Sequence, residues 1–243
     1  MWQQMRNDSE GGTAFGISIG LAFVGGYCDA ASFSLAHTLT GHLTGNCVLA
    51  AVSLANKEWN LVADRVLAVA VFLAGILASL TLSWFIPIQL KRHSLAISLC
   101  IEVVLIFGAG LFVANHVNNE WFIVCMCLAM GIQNDALRKT NRVSVHSTYM
   151  TGMVTTLMQK SFEHLLPEDN AEELPANQSS GAAIQILGQM WLSFIVGAVA
   201  GAVIVACFQN RGLLFLVLPL IVLIYFEIKS GLSVDNSSRA ASG

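Results

Sequence analysis

A few ionisable and amide side chains stand inside long apolar runs of this sequence, where they could bind a solute or carry protons. They are Asp29, Glu102 and the consecutive residues Gln133, Asn134 and Asp135. An ionisable side chain in a membrane helix costs roughly 2.5–3.5 kcal/mol on insertion scales, so it usually faces the bundle interior or a water-filled cavity. These residues are therefore candidates for a polar site within a membrane.

The same side chains also have a structural interpretation. Asp29 and Asp135 could cap helices or satisfy backbone groups at a helix break, and Glu102 could hydrogen-bond to another helix. Asp135 lies three and four residues before Arg138 and Lys139, the spacings at which helical side chains meet, so for Asp135 the structural role is favoured. Both interpretations stay open for Asp29 and Glu102.

Two Thr-Gly pairs open the shorter apolar pieces of the chain, at about 43–56 and 149–163. The pairs are Thr44-Gly45, followed by Asn46, and Thr151-Gly152. Glycine lets the chain turn sharply, and threonine caps helix starts. A half-helix that begins inside the bilayer presents unpaired N–H groups to an anionic or dipolar solute, and transporters use broken helices in this way. The alternative is that these small residues only pack helices together.

The elements that must position these residues are membrane helices. The chain is 55% hydrophobic and 11% charged, whereas a soluble domain carries about a quarter charged residues. Crossing a bilayer takes about 20 apolar residues. The pattern predicts an all-α integral membrane protein with six such helices at about 14–36, 64–88, 94–114, 120–137, 183–208 and 212–228. The two shorter pieces are predicted to be re-entrant half-helices.

The two halves of the chain resemble each other in motif order. Gly26-Tyr-Cys-Asp29 is followed by Thr44-Gly45, and Gly131-Ile-Gln-Asn134 by Thr151-Gly152; later helices share Phe72-Leu-Ala-Gly75 and Phe194-Ile-Val-Gly197. This order predicts two repeats, with boundaries at 14–114 and 115–228. A polar loop at 164–182, an N-terminal segment 1–13 and a disordered tail 229–243 complete the predicted organisation.

Lysine and arginine counts predict how the helices are oriented, since these residues concentrate on the cytoplasmic side. If all eight helical pieces crossed, the two sides would carry six basic residues each. If the two short pieces re-enter, the N-terminal side carries nine and the far side three. The count favours six crossings, two inverted repeats and cytoplasmic termini, while seven or eight crossings remain the alternative.

Several classes of function are not supported by the sequence. There is no basic run for nucleic acid, the cysteines fit neither a disulfide framework nor a zinc site, and no nucleophile or phosphate-binding motif is present. We therefore predict no catalytic residue, metal or cofactor, and treat an intramembrane enzyme as the third hypothesis.

In each half, the end of the first long helix together with the Thr-Gly pair that follows it forms a polar interruption, which we call a hinge. The residues of both hinges resemble the YoaK-like family of uncharacterised bacterial multi-pass membrane proteins, a family of unknown function. The segments that carry the resemblance are Gly26-x-x-Asp29-Ala30, Thr44-Gly45-Asn46, Gly131-x-Gln133-Asn134 and Thr148-x-x-Thr151-Gly152. It covers about residues 14–228. The resemblance implies a bacterial inner-membrane location and implies no particular activity.

The leading hypothesis for function is a small-solute transporter or channel with its site at the two hinges. The predicted binding residues are Asp29, Thr44, Gly45, Asn46, Glu102, Gln133, Asn134, Thr151 and Gly152. The competing hypothesis is a membrane protein with a structural or interaction role and no transport. The expected partners are the lipid bilayer and a small solute, and whether the chain forms a homo-oligomer is left open.

Overall fold

The fold is built from α-helices. The structure, a computed structural model, describes residues 9–87, 93–115, 119–139, 147–165 and 177–241, and within these ranges it contains no strand. The helices are α1 Ser9–Ala36, α2 Leu43–Ala55, α3 Trp59–Phe85, α4 Ser94–Ala114, α5 Asn119–Lys139, α6 Ser147–Leu165, α7 Asn177–Phe208 and α8 Val217–Ala241, with a 3-10 segment Gln209–Leu216 before α8. The predicted all-α membrane class is confirmed.

Among the described residues, five helical stretches are long and apolar enough to cross a membrane. They are Phe15–Ala36, Trp59–Phe85, Ser94–Ala114, Ile184–Phe208 and Arg211–Lys229. The sixth predicted crossing corresponds to α5, which has 21 residues but carries charged residues near both of its ends. At a rise of 1.5 Å per residue α5 is about 30 Å long, matching the hydrocarbon core in length. The number of crossings stays a prediction.

Several element boundaries differ from the predictions: α1 already begins at Ser9 and α3 at Trp59, five residues before each predicted start. Helix α6 begins at Ser147 and has 19 residues, so Thr151-Gly152 lies inside it and does not lead it. The predicted loop 164–182 is shortened at both ends, by α6 and by the start of α7 at Asn177. Helix α8 continues to Ala241 where a disordered tail was predicted, because extending an existing helix requires no new nucleus.

Helices α1 and α7 pack with their backbones almost in contact. A Cβ added to Gly26 would lie 2.1 Å from the carbonyl oxygen of Phe194, and one added to Gly197 would lie 2.1 Å from that of Phe23. The Ser193 hydroxyl donates to the Ile19 carbonyl at 2.9 Å. Since the contacts advance together along both helices, α1 and α7 run parallel. Small residues are what permits this approach in a membrane.

Helices α3 and α5 make the equivalent crossing. A Cβ added to Gly131 would lie 2.3 Å from the carbonyl oxygen of Phe72, and one added to Gly75 would lie 2.7 Å from that of Leu128. In the motif alignment of the two halves, Gly131 corresponds to Gly26 and Phe72 to Phe194. The first helix of each half therefore crosses the third helix of the other half through the same glycine contacts.

Helix α1 is the centre of the bundle. Its residues Ile17, Leu21, Val24 and Cys28 are all buried, and Gly20 lies against the side chain of Leu223 in α8. The Tyr27 hydroxyl donates to the carbonyl oxygen of Gly212 at 2.5 Å, which fixes the 3-10 segment to α1. Polar residues on α1 are thus held deep inside the protein.

Two adjacent glycines in α1 test the helix crossing. Nothing lies within 4 Å of a Cβ added to Gly25, whereas Gly26 abuts the α7 backbone. We expect Gly26→Ala to destabilise the protein by about 1–3 kcal/mol through overpacking, and Gly25→Ala to be neutral or stabilising by up to about 1 kcal/mol through helix propensity. Thermal unfolding in detergent measures both. Equal unfolding midpoints for the two variants would contradict the crossing.

Candidate functional site

The chain after α1 folds back along that helix and is held there by Asp29. The Asp29 Oδ1 atom accepts hydrogen bonds from the Thr40 N–H at 2.9 Å, the Gly41 N–H at 2.8 Å and the Thr40 hydroxyl at 3.0 Å. The His42 Nδ1 atom lies 2.8 Å from Asp29 Oδ2. Asp29 is seven residues before the end of α1, so the chain returns about 10 Å along the helix. We call residues 37–55 the hairpin.

Asn46 closes the hairpin from its other arm. Its Oδ1 accepts from the Leu39 N–H at 2.9 Å, and its Nδ2 donates to the Leu39 carbonyl at 2.6 Å. Asn46 is almost completely buried, as are Thr38 and Thr40. An unpaired backbone group in a membrane costs several kcal/mol, so these bonds allow irregular backbone to sit inside the protein.

The contacts of Arg65 in α3 show how far α2 extends back toward the end of α1. Its Nε donates to the carbonyl oxygen of His37 at 3.3 Å, and its Nη1 donates to that of Leu49 at 2.7 Å and to the Ser53 hydroxyl. Leu49 is six residues into α2, about 9 Å from its start, so α2 has come back to the level of the α1 end. Helix α2 thus runs in the same direction as α1, and α3 begins near the end of α2 and passes back beside it. Helices α1 and α3 therefore run in opposite directions.

A second polar group lies between α4 and α5. Glu102 is completely buried, and its Oε1 accepts a hydrogen bond from Gln133 Nε2 at 3.4 Å. Its Oε2 has no partner among the described residues. Gln133 is likewise buried. The pair joins two helices through one long hydrogen bond.

Two buried thiols connect this pair to the hairpin. Cys28 precedes Asp29 in α1 and lies within electrostatic range of Glu102 and Cys127. The Cys127 thiol of α5 lies 4.0 Å from the carbonyl oxygen of Leu39. Leu39 belongs to the connection between α1 and α2, residues 37–42, which we call the hairpin tip. Asp29, Glu102 and Gln133 therefore belong to one polar cluster at the centre of the bundle, together with the tip of the hairpin. We call it the central cluster.

The other predicted site residues have different positions. Thr44 is exposed on the first turn of α2, and Gly45 packs against the Leu39 side chain. Gly152 is exposed, with nothing within 4 Å of an added Cβ, and Asn134 is half-buried. The side chains of Thr151 and Asp135 lie outside the described residues. Of the second Thr-Gly pair, the described residue Gly152 is therefore not part of the central cluster.

Several residues of the site were not predicted from the sequence, among them His42 and Arg65. Arg65 could have been noticed, because a cation inside an apolar helix needs a buried partner. His42 offered a weaker signal, since nothing in the sequence spacing links it to Asp29. No group of three or more metal-ligating side chains occurs within the described ranges.

The charge of His42 depends on Asp29. His42 lies in the connection between α1 and α2, outside the spanning helices. Burial lowers the pKa of His42, but the hydrogen bond and negative charge of Asp29 outweigh it and raise that pKa above its usual value. The His42 imidazole is therefore protonated below its raised pKa and loses its positive charge as the pH rises through that value.

This dependence predicts that the hairpin loosens with rising pH. Below about pH 6.5, the usual His value, the ion pair stabilises the hairpin fully, and above the raised pKa its contribution is lost. Hydrogen exchange of the α2 amides, corrected for intrinsic rates, should show protection falling across this range in the wild type but not in His42→Gln. His37→Asn is the matched control, because His37 is exposed in the same hairpin and contacts Phe33. A pH response in His42→Gln equal to the wild type would contradict the role of the pair.

Comparison with known proteins places the chain in a family. Over 142 residues it is 25% identical to the UPF0700 transmembrane protein YoaK of Bacillus subtilis (strain 168), covering 57% of this chain and 63% of the relative. No solved structure matches the chain. Residues 17–226 match the model of a protein family whose description is "Protein of unknown function (DUF1275)". This confirms the predicted YoaK-like resemblance, and the chain belongs to the DUF1275 family.

Proposed function

We propose that the protein is a small-solute transporter of the bacterial inner membrane, with its binding site at the central cluster. The observation that carries the proposal is the hairpin, a break in the helical chain whose tip bonds the buried Asp29 carboxylate and lies 4.0 Å from the Cys127 thiol of α5. Broken helices at mid-membrane are the usual binding elements of secondary transporters. Glu102 and Gln133 offer groups that could exchange partners with a polar solute.

We further propose that the two halves are inverted repeats with three crossings each. The equivalent glycine contacts of α1 with α7 and of α3 with α5 support a common origin of the halves. The opposite directions of α1 and α3, with α2 returning to the end of α1, favour three crossings per half over four. Cytoplasmic termini then follow from the nine-to-three count of basic residues. Arg6, Lys91, Arg92 and Arg142 in that count lie outside the described residues.

Helix α2 supports re-entry by its length. Its 13 residues extend about 20 Å, which is shorter than a hydrocarbon core of about 30 Å. One face of the helix, including Val48 and Val52, is exposed and apolar, as suits contact with lipid. We propose that the hairpin enters from the far side of the membrane and returns to it.

The competing function is a membrane protein that only holds helices together. One observation favours it: both carboxylate oxygens of Asp29 are already occupied by the hairpin. In that role Asp29 is a structural cap. The two functions differ in whether the protein moves any solute, and a screen of mixed solute pools separates them.

Uptake by proteoliposomes tests the proposal. Labelled pools of amino acids, sugars, nucleosides and carboxylates should include at least one that enters above the level of protein-free liposomes. Asp29→Asn should reduce this uptake per inserted protein by about tenfold or more, since the amide removes the negative charge and puts an NH2 donor in place of the oxygen that bonds His42. Asp135→Asn should have little effect. No uptake of any pool, or full uptake with Asp29→Asn, would contradict the proposed site.

A further inference from the structure

Glu102 stands apart from the other acidic residues of the central cluster. It is the deepest carboxyl group of the described chain, with 0% of its surface exposed, and it keeps one oxygen without a partner. Asp29, by contrast, uses both oxygens in the hairpin. A buried, incompletely bonded carboxyl group in a native protein calls for an explanation.

The surroundings of Glu102 do not support a permanent negative charge. From α5 it receives the Gln133 amide, and on α1 the Cys28 thiol lies within its electrostatic range. Among charged groups, Asp29 is directed to the hairpin, and Arg211 is exposed in the 3-10 segment. That segment meets α4 at Gly110 through Leu214, two turns from Glu102. A buried carboxylate with one long amide hydrogen bond, and with no cation beside it among the residues the structure describes, is strongly disfavoured, so the group neutralises instead.

A proton is the ligand that suits this site. Hard metal cations require several oxygen ligands, but the Gln133 group directed at Glu102 is its Nε2, a donor. No cluster of three metal-ligating side chains occurs in the described part of the chain. One carboxyl oxygen that lacks a partner can form one O–H bond and needs no further ligand.

We propose that Glu102 is a proton-binding site and that its proton is the coupling ion of transport, an inference that rests on the proposed function. The carboxyl group takes one proton from water on one side and forms the Oε2–H bond. It releases that proton to the other side when the helices around the cluster rearrange. The equivalent positions Cys28 and Gln133, each two residues after a crossing glycine, flank Glu102, so a shift of either crossing changes its environment.

Infrared difference spectroscopy reads the proton directly. In nanodiscs near neutral pH, the wild type minus Glu102→Gln spectrum should contain the C=O stretch of a protonated carboxylic acid. The wild type minus Glu120→Gln spectrum should lack it, because Glu120 is exposed at the start of α5. Glu102→Asp should retain the band and so controls for folding. An ionised Glu102, with only carboxylate bands lost in Glu102→Gln, would overturn the site.

Proton flux separates this inference from the proposed function. Liposomes loaded with a pH-sensitive dye receive the mixed pool of amino acids, sugars, nucleosides and carboxylates outside. Addition of the pool should drive proton entry with the wild type and Glu120→Gln, and at least tenfold less with Glu102→Gln. Solute uptake without proton entry would overturn the coupling and leave transport standing. A protonated Glu102 with no uptake would overturn transport and the coupling, while the proton-binding site would stand.

Discussion

Backbone groups inside a lipid bilayer have no water to bond with, and this constraint governs how the chain interrupts its helices. The interruption after α1 is possible because one carboxylate bonds two backbone N–H groups of the hairpin and one amide side chain bonds both groups of Leu39. When it is protonated, His42 also places a positive charge 2.8 Å from the second oxygen of Asp29. If these bonds were absent, the hairpin tip would carry unpaired polar groups in the core.

A polar interior also requires that the surrounding helices pack tightly, and the glycine crossings provide this packing. At Gly26 and Gly131 the helix backbones approach more closely than any side chain would permit. Large side chains can then fill the space elsewhere, and the buried residues of α1, α4, α5 and α8 form one continuous core. Cys28 and Gln133 follow the two crossings by two residues, so the tightest packing in the bundle adjoins its most polar point.

Sequence reasoning found the class of the protein and most of its helices, and it singled out three residues that lie in the central cluster, Asp29, Glu102 and Gln133. It succeeded because apolar length and the cost of a buried charge are local properties, legible at Asp29, Glu102 and Gln133. It failed where tertiary contacts decide. The partner of Asp29 is a histidine thirteen residues away, reached only because the chain doubles back, and Arg65 binds carbonyl oxygens from two other elements. Thr44-Gly45 does lie at the start of a short helix, but the Thr44 side chain is exposed. The spacing of residues in the sequence does not predict this exposure.

The central claim is that α2 starts deep in the membrane and ends at its surface, and spin-label depth measurements test this most directly. Nitroxides would be attached singly at the exposed positions Thr44, Cys47, Val48, Val52 and Ala55 in an otherwise cysteine-free protein in liposomes. The ratio of the collision rate with oxygen to the collision rate with a water-soluble nickel complex reports the depth of each nitroxide. We expect the greatest depth at Thr44 and a steady decrease to Ala55. A maximum near the middle of α2, with both ends shallow, would show that the helix crosses the membrane and would contradict re-entry.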